Sequence, residues 1–144
     1  MRTASQVQLQ WTPSGGVDSL QAWRQTHFNS PGNTGTAANT EDPDKDGISN
    51  LLEFVLNTSP VAGNLLPVEW SRTATSLEYH YQHGRAASAL LGPVVQWSDD
   101  LAAWSSAGIT ETVVSDDGTV EQVTAHVPLG TAGRRFVRLS VTAP

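Results

Sequence analysis

Asp42, Asp44 and Asp46 occupy alternate positions in one short stretch, and Glu53 follows seven residues later. No other feature constrains the fold of this chain as tightly. Carboxylates crowded within a few ångströms repel one another, and a bound divalent cation turns that repulsion into coordination. Residues 41 to 53 hold five acids and one base, Lys45, so this stretch carries most of the net charge of −6.

From Asp42 to Glu53 the chain reads DPDKDGISNLLE. Calcium is a hard cation that collects about six to eight oxygens. A twelve-residue loop supplies them from its first, third, fifth, seventh, ninth and twelfth positions, with glycine at the sixth. Here Asp42, Asp44 and Asp46 offer carboxylates, Ile48 its backbone carbonyl, Asn50 a side-chain oxygen directly or through water, and Glu53 a bidentate carboxylate. Gly47 permits the sharp turn among them. Magnesium demands a tighter octahedron and keeps its waters, so this many protein oxygens favour calcium. The competing reading is a solvated acidic loop before a helix N-terminus, which favours negative charge. That reading does not require the glycine or the complete ligand spacing.

The chain has no cysteine. Disulfides, thiolate zinc sites and iron–sulfur clusters are thereby excluded, and any staple must be a metal of another kind.

After the acidic loop, Ile48, Leu51, Leu52 and Val55 recur at helical intervals, and Asn57 to Pro60 gives the chain reason to leave. This predicts a helix over 49–56 with one buried face. Upstream, Asp18 and Gln21 have the spacing of a capping box. Leu20, Trp23 and His27 follow at helical spacing, and Asn29 and Pro31 supply a stop, which predicts a helix over 19–28. Residues 31–40 between the two are small and polar, with nothing to bury, and read as a loop. At the start of the chain Val7, Leu9 and Trp11 alternate with glutamines, the period of a half-buried strand.

From Pro67 the character changes to short β-type runs at 68–71, 77–83, 93–98, 110–114, 121–127 and 135–141. Asp117-Gly118 between two of them is a hairpin signal. The expected fold is mainly β: a small antiparallel β-sandwich preceded by a helix, an EF-hand-like calcium loop and a second helix. Residues 1–66 carry the helical and loop part and 67–144 the sandwich, with the two expected to form one compact unit.

The DxDxDGxxNxxE pattern is similar to the single calcium loops of dockerin modules and thrombospondin type 3 repeats. DPDKDGISNLLEF followed by AsnThrSerPro resembles, more closely, a C-terminal module of secreted multidomain bacterial proteins. In that group a calcium loop and helix precede a small β-sandwich with a segment like TrpSerAspAspLeuAlaAlaTrp (97 to 104) and a closing strand like 135–141. The resemblance spans roughly residues 17 to 142. It implies calcium in a structural role and a location outside the cell or at its surface. The loop departs from a regulatory EF-hand: no helix immediately precedes it, no second loop pairs with it, and Ser49 stands where paired hands carry an apolar residue.

The five tryptophans, Trp11, Trp23, Trp70, Trp97 and Trp104, read as core residues or as a platform for a sugar ring. Trp70, beside Arg72, is the candidate ligand-binding ring, while Trp97 and Trp104 are placed to clamp a corner near a turn at Asp99 or Asp100. His80 and His83 stand three apart in a strand, so they face opposite ways and share no ligand. Asp116 and Asp117 suit the hairpin turn, and the glycosylation-like AsnThrSer at 57 to 59 suits a helix end.

No nucleophile elbow, phosphate-cradling glycine loop or HExxH pattern occurs, which argues against an enzyme. The eight basic residues are scattered along an acidic chain, which argues against nucleic acid. No apolar run has the length of a transmembrane segment. The N-terminus MRTASQVQLQW does not read as a secretory signal; if the protein is exported, this sequence is a piece of a longer one. Three functions are therefore expected: a calcium-stabilised noncatalytic accessory module, a carbohydrate-binding module that presents Trp70 to polysaccharide, or a surface-attachment or protein-interaction domain.

Overall fold

The computed structural model describes residues 17–143. The strand expected around Val7, Leu9 and Trp11 lies outside the described residues. Helices α1 (Val17–Phe28) and α2 (Asn50–Leu56) come first. Strands β1 (Val68–Arg72) and β2 (Ser76–Gly84), helix α3 (Arg85–Leu91) and strand β3 (Val94–Ser98) follow. Strands β4 (Thr110–Asp116), β5 (Val120–Pro128) and β6 (Phe136–Ser140) close the chain. Each expected strand from residue 68 onward has its counterpart, with ends within two residues of those expected.

Among the described residues the strands form two antiparallel sheets, one of four strands in the order β1-β2-β5-β4 and one of two, β3-β6. The result is a mainly-β small domain. Alternation along β2 sends Leu77, Tyr79, Tyr81 and His83 to one face, opposite Val127, Ala125, Val123 and Glu121 of β5. Their apolar members meet Val95 and Trp97 of β3 and Val137 and Leu139 of β6. A second cluster joins Leu20 of α1, Phe54 and Val55 of α2, and Ala87 and Leu91 of α3, with Trp23 and again Leu139 packed against it. Leu139 touches both clusters, so helices and sheets share one interior.

Helix α3 has no counterpart among the expected elements. Its sequence, ArgAlaAlaSerAlaLeuLeu, is rich in strong helix formers. Gly92, left-handed at φ 48°, and Pro93 end it. Ala87 and Leu91, one turn apart, bury its inner side. The helix carries the chain out of the four-stranded sheet and into the other.

Two further expectations change. The loop at 31–40 does bury a side chain: Gly35–Ala37 forms a short 3-10 turn in which Ala37 is 2% exposed. Helix α2 buries more than a stripe, since Asn50, Glu53, Phe54, Val55 and Leu56 are all inside. Its free N-terminal amides are not capped by the Ser49 side chain. Loop carbonyls serve instead: the Asn50 N–H donates to Glu41 O at 2.8 Å and the Leu51 N–H to Asn39 O at 3.1 Å. Asn57 closes the helix in the left-handed conformation, φ 55°.

Trp97 and Trp104 do not clamp the corner by themselves; arginines of the last strand region cover them. The Arg135 guanidinium lies 3.7 Å from the Trp97 ring centroid and that of Arg138 lies 4.0 Å from Trp104. Arg135 also grips Asp99 with two bonds of 2.9 and 3.1 Å and donates to the Pro128 carbonyl at 2.5 Å. This pairing holds the Asp99 carboxyl below the usual carboxylate range. Asp100 makes the turn, its Oδ1 accepting the N–H groups of Ala102 and Ala103 at 2.8 and 2.9 Å. Gly130 leaves the room this needs, because a Cβ there would stand 2.7 Å from Arg135 Nη2.

Strand β4 lies at the edge of its sheet with all seven residues exposed, and its register with β5 shifts between Val113 and Ser115. The Asp117-Gly118 turn joins the two as expected, with Asp117 Oδ1 accepting the Thr119 and Val120 N–H groups at 2.8 Å each.

Arg135→Ala should destabilise the domain by about 1–3 kcal/mol, the range for a stacked and charge-assisted contact. Arg135→Lys should not restore it, since an ammonium cannot make the two-pronged grip. Gly130→Ala should cost about 1–2 kcal/mol by displacing the same guanidinium. Chemical denaturation checks all three: the double variant Gly130→Ala, Arg135→Ala should lose less than the sum of its parts.

Candidate metal centre

Residues 42 to 47 turn back on themselves through two left-handed positions, Lys45 at φ 63° and Gly47 at φ 91°. Lys45 is not a glycine, and holding it there costs conformational energy that the loop's internal bonds must offset. Asp42 accepts the N–H groups of Asp46 at 3.2 Å and Gly47 at 2.9 Å, and Asp46 accepts that of Ile48 at 2.9 Å. The turn brings the three aspartates together: one carboxylate oxygen of each lies within 4.8 Å of the others. This group can hold a metal ion.

Glu53, one turn into α2, is 0% exposed, and neither of its carboxylate oxygens has a hydrogen-bond partner among the described residues. Asp44 Oδ2 and Asn50 Oδ1 are likewise buried without a partner among them. For Asn50 the cause is visible: its amide nitrogen donates to the carbonyls of Thr36 and Ala38 at 2.8 and 2.7 Å, which fixes the side chain and leaves the oxygen unused. Buried polar atoms are nearly always satisfied, and an ionised carboxylate without a partner costs several kcal/mol. Four such oxygens on three residues of one twelve-residue stretch make sense together as donors to a cation.

The electrostatics agree. Burial, followed by the charges of Asp44, Asp46 and Asp42, raises the Glu53 carboxyl from 4.5 to about 7. The Asn64 amide acts weakly in the opposite direction, its hydrogens going to the Ser59 and Ala62 carbonyls. Asp44 is raised as well, by burial first, with the charges of Asp46 and Asp42 adding to it.

The expected donors are thus placed as follows. Asp42, Asp44 and Asp46 converge, Glu53 faces their combined charge, and Asn50 is held with its oxygen unpaired. Ile48 is buried at the end of the loop. Trp70 stands apart on β1 and is 74% exposed. Asn64, whose backbone N–H donates to Asp46 Oδ2 at 2.7 Å, and the Thr36 and Ala38 carbonyls carry no signal in the sequence. The histidines lie elsewhere: His80 meets Thr124 Oγ1 at 2.9 Å, and His83, buried, meets Glu121 at 3.4 Å.

A pH dependence follows. Without a cation, folded Glu53 holds its proton up to about pH 7, whereas the unfolded chain releases it near 4.5. A raised carboxyl pKa means that stability is lost as pH rises through this window, by about 3 kcal/mol in all. Melting in chelator between about pH 5 and 8 should show that decline in the wild type and a much shallower one in Glu53→Gln. Equal slopes would place its origin elsewhere.

No family model, curated protein or solved structure matches the chain, so what this centre does is read from its donor atoms alone.

Proposed function

We propose that the acidic loop binds calcium and that the ion serves the fold of a noncatalytic accessory module in an exported protein. The observation that carries this reading is the Glu53 carboxylate, fully buried with both oxygens unpaired beside three converging aspartates. Calcium, rather than magnesium, suits a donor set this rich in protein oxygens and a bidentate glutamate. Asp42, Asp44, Asp46, the Ile48 carbonyl, Asn50 and Glu53 are its ligands in an EF-hand-like loop, and the two facing sheets form a small β-sandwich. The 36–41 carbonyls hold Asn50 and the start of α2, and the Asn64 N–H holds Asp46, so binding the ion is coupled to folding these segments. The resemblance to modules of secreted bacterial proteins supports an extracellular or cell-surface setting. No helix among the described residues is long and apolar enough to cross a membrane.

A second reading, presentation of Trp70 to a polysaccharide, is favoured by the exposure of that ring.

Calcium at about a hundred times its dissociation constant should add about 2.7 kcal/mol to stability. Magnesium at the same concentration should add much less, and chelator should remove the gain. The double variant Asp44→Ala, Asp46→Ala should melt at one temperature in all three conditions. A wild type that also melts identically in all three would overturn the proposal.

A further inference from the structure

Trp70 projects from β1, the edge strand of the four-stranded sheet, and stands between two hollows of ≈ 430 and ≈ 290 Å3. Leu77 and Arg135 line both as well, so the two are halves of one cleft. The larger half is mostly aromatic and aliphatic, with Tyr79, Trp104 and Phe136 in its walls, and Glu78 is its one acidic lining residue, so the acidic groups of a ligand belong in the smaller half. The smaller half holds Arg72, Arg134 and Arg135 and no acidic side chain.

The three arginines differ in what they have left to offer. Arg135 is spent on Asp99, Pro128 and Trp97. Arg134 donates only its Nε, to the Asp99 backbone carbonyl at 3.0 Å, and Arg72 makes no hydrogen bond or ion pair among the described residues. In a chain of net charge −6, an Arg72 guanidinium with no side-chain partner among the described residues and an Arg134 guanidinium shared only with Asp99 stand beside an exposed indole, a local concentration of positive charge.

We propose that this cleft binds an acidic polysaccharide. Trp70 stacks on the C–H face of a sugar ring, and Arg72 and Arg134 take the carboxylate or sulfate groups of the chain. The inference rests on the polysaccharide reading of Trp70 and is independent of the metal. An exposed flat ring with a hollow on each side suits a chain of several rings.

The test uses the calcium-loaded chain and tetrasaccharides of galacturonate, hyaluronan and chondroitin sulfate. Neutral tetrasaccharides of cellulose, xylan and mannan, and a short polyglutamate, serve as comparisons. Tryptophan fluorescence and calorimetry follow binding. At least one acidic tetrasaccharide should bind about tenfold or more tighter than every neutral one. Chondroitin sulfate carries the same carboxylates as hyaluronan, so comparable binding of the two identifies carboxylate as the recognised group, and a clear preference for chondroitin sulfate identifies sulfate. Trp70→Ala should abolish binding, Arg72→Gln should weaken the acidic ligand several-fold while leaving the melting temperature unchanged, and adding Arg134→Gln should bring the loss to about tenfold. Neutral and acidic chains binding equally would overturn the acidic specificity and leave the polysaccharide reading standing. Binding of no tetrasaccharide overturns both, equal binding of polyglutamate points to a peptide partner and overturns the inference, and full binding by Trp70→Ala removes it from this cleft.

Discussion

A carboxylate buried without a donor is an unfinished interaction, and Glu53 brings one into the middle of this fold. It cannot be withdrawn, because Phe54, Val55 and Leu56 follow it directly on α2 and form part of the buried interior. Turning the short helix to expose Glu53 would strip that interior of its largest aliphatic contacts. The helix can be apolar enough to hold the core only by carrying this charge inside, and the three aspartates ahead of it raise the electrostatic cost further. A divalent cation reverses the sign of every one of those terms at once.

The same centre is the point at which separate segments are joined. Asn50 holds the 3-10 turn through the Thr36 and Ala38 carbonyls, and Asn39 in the same loop accepts a hydrogen bond from the buried Arg24 of α1. Asp46 holds the segment after α2 through the Asn64 N–H. At the other end of α2, the Gln82 side chain of β2 donates to Leu56 O at 2.7 Å. A strain at the acidic loop is therefore transmitted to α1, to residues 57–66 and to the edge half of the larger sheet, all through direct bonds.

Much of this was legible in the sequence. The three converging aspartates were readable because carboxylates at alternate positions with a central glycine have few other uses, and the strands because their alternation survives in a half-buried sheet. Helix α3 was missed although its composition favoured it, since a seven-residue run is too short to display an apolar period clearly. The backbone carbonyls that fix Asn50 have no side-chain signature. The basic residues look scattered along the chain, and only the pairing of β1 with β2 and the approach to β6 bring Arg72 and Arg134 to one hollow. Asp99 and Asp100 look alike in sequence, yet one grips an arginine and the other caps a turn, because only the former lies within reach of residue 135.

The exposed strand β4 has a consequence for how such a domain behaves when many copies are crowded together. An open strand edge is a template for another chain, and Val113 and Val114 would make it an adhesive one. The register shift between Val113 and Ser115 interrupts the row of outward amides and carbonyls at its midpoint, and the Asp116–Arg85 ion pair puts charged groups at its end. A second β4 laid alongside would find no continuous ladder to join. The bulge thus acts as a gatekeeper, letting the sheet end in solvent without recruiting its neighbours into fibrils.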